Sequence, residues 1–569
     1  MITKKTICFF GVTTCMMITP VGFYGNVQAE QTQPSQVLQE KDTFRTGNLT
    51  SPSSKSPEDI VKDALQAKIN QKLSLQQINT EPDVDYQVIQ KRKAYDGTTL
   101  IRVQQMYKGK EIYGHQLTAH VDPNGVIQSI SGDSAQNLTT QEALNQQISL
   151  SPGQAKQFIY TKYGSNVEFI TTPQIKQIIY VDKKSGQAVQ AYLVKFAVST
   201  PEYVSGTYIL HAINGEILRD MVKKSNVKIK KEIINKLKNN QRNQVPFTNL
   251  TGKGRDDTGV SRTFGIFKQA DGQYAMGDYT RGEGIETYDV NYKDLSTEWE
   301  SYPGNLASSR STTFQDSKAV SAHFLASKVY DFYKDKYKRN GFDNNGQKVI
   351  SVVHAWDSQQ TDNPKNWRNA ASIDGNMLVY GDPLVKAFDV AGHEFTHAIT
   401  SNESNLEYYG ESGAINEAIS DVLGVSIEKY INKGKFNWTM GEQSGETFRD
   451  MKKPSAIPSP FGIPYPEDYS QYNEFGGEDN GGVHYNSSII NKAAYLLAKG
   501  GTHNGVNVKG IGEDKMFDIF FYANTDELNM TSTFYELKQA CIQVASQKYG
   551  ASSREVQAVQ QAFDAVYIY

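Results

Sequence analysis

Disulfide chemistry is all but absent from this 569-residue chain, which has three cysteines. Cys8 and Cys15 lie near the N-terminus, so loss of a leader there would leave Cys541 alone and no internal bridge. Long hydrophobic runs are equally scarce. The apolar stretch from Ile7 to Phe23 follows Lys4 and Lys5, is broken by Pro20 and Gly22, and precedes no stop-transfer charges. That pattern argues against a membrane anchor and predicts a signal peptide over 1–29, with cleavage after Val27-Gln28-Ala29 and a secreted, extracellular product that keeps no membrane association. Neither sign of charge dominates. The formal net charge of -3 gives no electrostatic pull toward nucleic acid, and the basic stretch 227–248 carries no aromatics among its lysines as a nucleic-acid patch would. No internal repeat is evident, and 33 Tyr with 25 Phe exclude a disordered chain.

What is present divides the chain. Residues 30–58, rich in Gln, Ser, Thr and Pro, read as a flexible lead-in. From 59 to 140 a helical pattern gives way to strands, Thr99–Tyr107 and Ile112–Leu117, joined by a turn at Lys108-Gly109-Lys110. A second α+β unit, 141–226, opens with a helix near Ser151–Ile159 and continues with strands near Gln177–Val181, Ala191–Val198 and Thr207–His211. His115, His120 and His211 fall in these units and are assigned no chemistry. Residues 227–248 read as a solvated, cleavable linker. The remainder is expected to form two lobes, a β-rich one over 249–400 and a mainly helical one over 401–569, α+β overall.

Residues 393–397 read His-Glu-Phe-Thr-His. On a helix of about 3.6 residues per turn, His393 and His397 project from one face and can share a metal ion. Glu394 stands roughly 100° round, where a carboxylate can take a proton from metal-activated water. A hydrolytic zinc site needs a third protein ligand and an open position. Downstream, Ser412–Leu423 places apolar residues at 415, 418, 419, 422 and 423, a helical stripe that should pack on the first helix. Glu417 and Asp421 stand on it among Ala, Ile and Val, and a buried carboxylate is costly without a cation or a donor. Glu417 as third ligand and Asp421 as acceptor from the His393 imidazole meet both needs. Asn416 is assigned with Asp421 to the ring of groups behind the ligands.

Four stretches in order carry a family resemblance: Asp389–Ala398, Glu411–Asp421, Asp479–Ser487 and Gln560–Val566. From about residue 249 onward the chain resembles the thermolysin family of secreted neutral metalloendopeptidases, and 59–226 resembles that family's two propeptide domains, which assist folding and inhibit the unprocessed enzyme. The resemblance implies zinc on His393, His397 and Glu417, Glu394 as general base, and Tyr408 and His484 as donors to the oxyanion, with Asp479 orienting His484. It implies that Arg449 binds a substrate backbone carbonyl and that Asn369 and Ala370 line up the peptide as an added strand. The implied partners are protein and peptide substrates and the chain's own propeptide, with the mature enzyme a monomer.

The chain also departs from the family. Ala371-Ser372-Ile373 stands where an aromatic is usual, and six residues separate Asp382 from Asp389 where relatives carry a longer Gly-rich loop. Val390 and Phe448 are then the candidates to wall the pocket after the scissile bond, which implies large apolar side chains there. The family's calcium cluster maps onto Asp389, Glu428 and Glu442, but Asn437 and Thr439 replace expected acids, so one calcium ion is expected rather than a pair. Calcium also suits a secreted protein without disulfides. A catalytically silent binding module would be expected to lose Glu394 or His484, and both are present. An aminopeptidase needs an acidic group for the free N-terminus, and no matching motif occurs.

Overall fold

The computed structural model describes residues 13–14, 43–75, 83–169, 172–200, 203–225, 249–295, 298, 301–373 and 376–569. The expected linker, and the expected signal peptide apart from Thr13–Thr14, lie outside these.

Two α+β units come first. In the first, helix α1 (Pro57–Leu75) lays Ile60, Val61 and Leu65 on a meander of strands Val84–Lys93, Thr99–Tyr107, Lys110–Val121 and Ile127–Ser131, whose inward Ile101, Val103 and Leu117 close the core. In the second, Ser151 starts α2 (Pro152–Tyr163) with a capping box completed by Gln154, and Ile159 packs on Tyr192, Val194 and Tyr208 of the strands behind it. The two units share their strands. Glu111 and Ile112 pair parallel with Ile178 and Ile179, which fuses both units into one sheet over two distinct cores. The lead-in also differs from the flexible segment expected over 30–58. Phe44–Thr46 is a strand against Ser129–Ser131, because the free edge of Ile127–Ser131 offers it a ladder, and Leu49 N–H continues that ladder to Ile127 O.

The β-rich lobe has two sheets. In one the order is Ala370–Ile373, Met377–Tyr380, Val349–Val353, Ile285–Asp289, Gly277–Asp278, with Val349–Val353 parallel to both neighbours and Ala370–Ile373 antiparallel to Met377–Tyr380. The outer edge of Ala370–Ile373 is met antiparallel by the short extended segment Thr13–Thr14. Helix α3 (Ser317–Tyr337) crosses this lobe and is buried along most of its length. Two further helices form the boundary with the second lobe: α4 (Phe388–Asn402) and α5 (Gly410–Ile431).

Their close crossing depends on two glycines. A Cβ on Gly392 would stand 2.8 Å from Ile427 Cδ1, and one on Gly424 would stand 2.6 Å from Asp389 O. Any side chain there would hold the helices apart and move the groups between them. The second lobe is completed by α6 (Asp479–Lys499), α7 (Glu513–Tyr522), α8 (Phe534–Tyr549) and α9 (Arg554–Asp564), and is mainly helical.

Candidate active site

Helix α4 turns His393 and His397 to one face, with their Nε2 atoms 2.9 Å apart. Behind them the Nδ1 atoms are engaged: His393 with Asp421 Oδ1 at 2.8 Å, His397 with Asn416 Oδ1 at 2.8 Å and Ser420 Oγ at 3.1 Å. A carboxylate and an amide oxygen accept, so each imidazole carries its proton on Nδ1 and presents a bare lone pair at Nε2. Glu417, from α5, completes the set with Oε1 3.3 Å from His397 Nε2 and Oε2 3.6 Å from His393 Nε2. All three side chains are buried. Lone pairs directed at one another beside a carboxylate repel unless a cation sits among them, so this donor set of two nitrogens and one oxygen fits a zinc ion.

Glu394 lies in the same buried environment, and neither of its oxygens has a hydrogen-bond partner of ordinary geometry. Burial first, and then the charge of Glu417, hold its carboxyl well above the usual range, with the Ser372 backbone pulling weakly the other way. Burial would also raise Glu417, but His484, His397 and His393 outweigh it and keep that group well below its ordinary value. Two carboxyl groups a short distance apart are thus driven in opposite directions.

Across the site, α6 begins with Asn480, Gly481 and Gly482 in the left-handed region, at φ of 51°, 78° and 74°. That tight entry folds Asp479 back, so its carboxylate accepts the His484 backbone N–H at 2.9 Å and the Nδ1 proton as well. His484 therefore sits in the first turn of a helix, not in the Gly-rich loop its sequence suggests. Its Nε2 is 3.1 Å from the Tyr408 hydroxyl and 3.5 Å from Glu417 Oε1, and Tyr408 donates to that same oxygen. Burial works against a proton on His484, but Glu417 and Asp479 prevail and push it up to about 9.

Arg449 donates from Nη2 to Asp421 Oδ1 at 2.9 Å and pairs in charge with Oδ2, 2.7 Å from Nε, while Nη2 also lies 3.7 Å from Glu417 Oε2. Asn491 adds a third donor to Asp421 at 2.7 Å. Ser420 and Asn491 also join the site. Each is a polar residue inside an apolar helical stripe, the mark it carries in sequence.

The candidate substrate residues are placed less uniformly. Asn369 is fully buried, its Oδ1 accepting from Ala370 N at 2.9 Å and its Nδ2 3.4 Å from Gln360 Oε1, so its amide is already engaged. Ala370 opens the strand next to the site. Val390 is buried in the first turn of α4, and the Phe448 ring lies against Gly441.

Asp389, Glu428 and Glu442 share a second acidic region. Asp389 accepts from Gly441 N at 2.6 Å, Glu428 accepts from Gln443 Nε2 at 2.7 Å while its Oε2 has no partner, and Glu442 accepts from Asn437 and Thr439 at 2.8 and 2.9 Å. Burial and then Glu442 push Asp389 to about 7, and burial and then Asp389 push Glu428 to about 8. Among the described residues this trio does not converge as closely as His393, His397 and Glu417, whose ligand atoms all lie within 4.8 Å of one another.

Comparison with known proteins agrees with this geometry. The profile described as "Thermolysin metallopeptidase, catalytic domain" matches residues 251–401, "Thermolysin metallopeptidase, alpha-helical domain" matches 404–568, and "Fungalysin/Thermolysin Propeptide Motif" matches 84–134. The chain is 33% identical to a bacillolysin of Bacillus cereus over 99% of both chains. It is 33% identical to a thermolysin of Alicyclobacillus acidocaldarius over 93% of this chain and 94% of that one. Among solved structures it resembles the precursor of protealysin from Serratia proteamaculans, at 28% identity and a TM-score of 0.42 over 50% of this chain and 87% of that one. The relatives match along nearly the whole length and the profiles fall on the lobes that hold the His-His-Glu cluster, so the chain belongs to the thermolysin family of metallopeptidases and carries that family's propeptide motif.

Proposed function

We propose that this protein is a secreted endopeptidase, made as an autoinhibited zymogen, in which Glu394 is the general base. The observation that carries the reading is the Glu394 carboxyl group, buried without a hydrogen-bond partner of ordinary geometry beside two imidazole lone pairs and the Glu417 carboxylate. His393, His397 and Glu417 would hold the zinc, which supplies Lewis acidity and brings water to a pKa of about 7. Glu394 accepts the proton of the attacking water and, with its raised affinity for protons, can pass it to the departing amine. Tyr408 and His484 donate to the oxygen on which charge develops, and Asp479 keeps His484 oriented and protonated. Asp421 and Asn416 hold the imidazoles in register. Arg449, buttressed by Asp421, is directed at a substrate carbonyl. Ala370 and Asn369 form the edge along which a peptide lies extended, and the pairing of Thr13–Thr14 with this strand supports that use. Val390 and Phe448 give an apolar wall that favours a large apolar residue after the scissile bond.

Replacing Glu394 with Gln is expected to lower casein hydrolysis by roughly 100-fold or more while zinc content stays at one per chain. Undiminished activity, or activity insensitive to a zinc chelator, would refute the assignment. Library peptides cut by the native enzyme should yield products beginning with Leu, Phe or Ile, and products beginning mainly with charged residues would overturn the apolar wall.

The donor role of His484 needs its proton, which is present below its pKa and lost as pH rises through about 9. Glu417 shares its charge with a bound cation, so Asp479 is the partner whose pull persists. Asp479→Asn should move the alkaline limb of kcat/KM to lower pH. An unmoved limb would remove His484 from the mechanism.

Asp389, Glu428 and Glu442 are proposed to hold one calcium ion, which would offset the burial and, after it, the mutual repulsion that raise two of them. Calcium addition should raise the melting temperature of the native protein and have little effect on Glu428→Gln. Equal responses in the two would exclude the site.

A further inference from the structure

Two arginines of the first N-terminal unit reach into the second lobe. Arg102, buried at the contact, donates from Nη1 to Glu403 O at 2.5 Å and from Nη2 to Leu528 O at 3.0 Å. Arg92 donates to Asp526 Oδ1 at 2.7 Å and to Thr525 O at 2.6 Å. Between these elements lies His120, 1% exposed. Its Nε2 is 3.0 Å from Asp526 O, and its Nδ1 is 2.9 Å from Thr98 Oγ1.

The partners of this ring are arranged to receive two protons from it. A backbone carbonyl only accepts, so Nε2 must carry a proton. With the hydroxyl proton of Thr98 on Asp96 Oδ1, 2.6 Å away, Oγ1 is free to accept from Nδ1. Both ring nitrogens then donate, and the network accommodates an imidazolium with carboxylates on two sides of it. The carboxylates that face it are Glu527 Oε1 at 3.5 Å, Asp96 Oδ2 at 3.8 Å and the Asp526 side chain, while Arg102, Arg92 and Glu403 lie in the same contact. Glu527 is buried here, and its Oε2 has no partner. The contact continues to the active site: Tyr113 and Arg219 both bond Glu407, at 2.6 Å each, immediately before Tyr408.

We propose that the contact of Asp96, Thr98 and His120 with Asp526 and Glu527 is a proton-dependent latch that holds the N-terminal units on the catalytic lobes, closed around a charged His120 and loosened as pH rises. The inference rests on the reading of these units as an inhibitory propeptide and adds the condition under which it lets go. Burial alone would lower His120, but Glu527, Asp96 and Asp526 push it up to about 9 from 6.5. Burial raises Glu527 to about 8 from 4.5. His120 and Glu527 face each other and titrate as one pair, so the proton that docking takes up is counted once, on His120. The His120 share is fully present below pH 6.5 and is lost as pH rises through about 9.

The test uses the full-length chain carrying Glu394→Gln, which cannot process itself, and reads amide exchange in Ala523–Asn529 corrected for the intrinsic rate at each pH. Protection should fall on the order of 100-fold between pH 6.5 and 9, and His120→Gln should show weak protection with little slope. Equal slopes in both chains, or none in either, would overturn the latch. Should His120→Gln not fold, exchange of the imidazole C2 hydrogen, followed by mass spectrometry in the chain that retains His120, gives its titration directly. A midpoint well above 7 supports the latch, and one near 6.5 sinks it. A chain without peptidase activity would refute the endopeptidase reading and leave these readouts intact.

Discussion

Two imidazole lone pairs and a carboxylate, buried together between α4 and α5, are electrostatically untenable without a cation. The surrounding architecture answers that constraint. Asp421 and Asn416 hold the protons of His393 and His397 at Nδ1, which keeps both Nε2 atoms bare. Arg449 and Asn491 in turn satisfy Asp421, so the buried negative charge behind the site is balanced by donors and the one in front is left for a metal. Glycines at 392 and 424 let the two helices approach closely enough for this arrangement to exist.

The same logic of buried charge extends outward. Glu394 remains without a donor, which is costly for stability and useful for a base that must take and return a proton. At Asp389 and Glu428 carboxylates are again crowded past their ordinary ionisation, and at the contact with the N-terminal units the neutralising cations are supplied by the chain itself, as Arg92, Arg102 and His120. Three acidic regions thus have three different partners: two of them metal ions by proposal, the third the chain's own side chains.

How much of this was legible depends on sequence distance. His393, Glu394 and His397 are fixed by one helical repeat, and Glu417, Asn416 and Asp421 by the next helix, so their convergence follows from local periodicity. Ser420 and Asn491 were missed because a single polar residue in an apolar stripe has many explanations until the partner helix is placed. Gly481 and Gly482 carry no helical signal in sequence, yet their left-handed backbone is what starts α6 and puts His484 in its first turn. The shared sheet of the N-terminal units rests on Glu111 and Ile112 meeting Ile178 and Ile179, a distant parallel pairing that no period announces. His120 looked inert because its partners, Asp526 and Glu527, lie some four hundred residues away.

Anomalous scattering at the zinc edge, from crystals of the full-length chain, would locate the metal outright. A single strong peak is expected, enclosed by His393 Nε2, His397 Nε2 and the Glu417 carboxylate. A zinc-replete crystal with no peak there, or with those three side chains turned away from the metal, would contradict the zinc assignment.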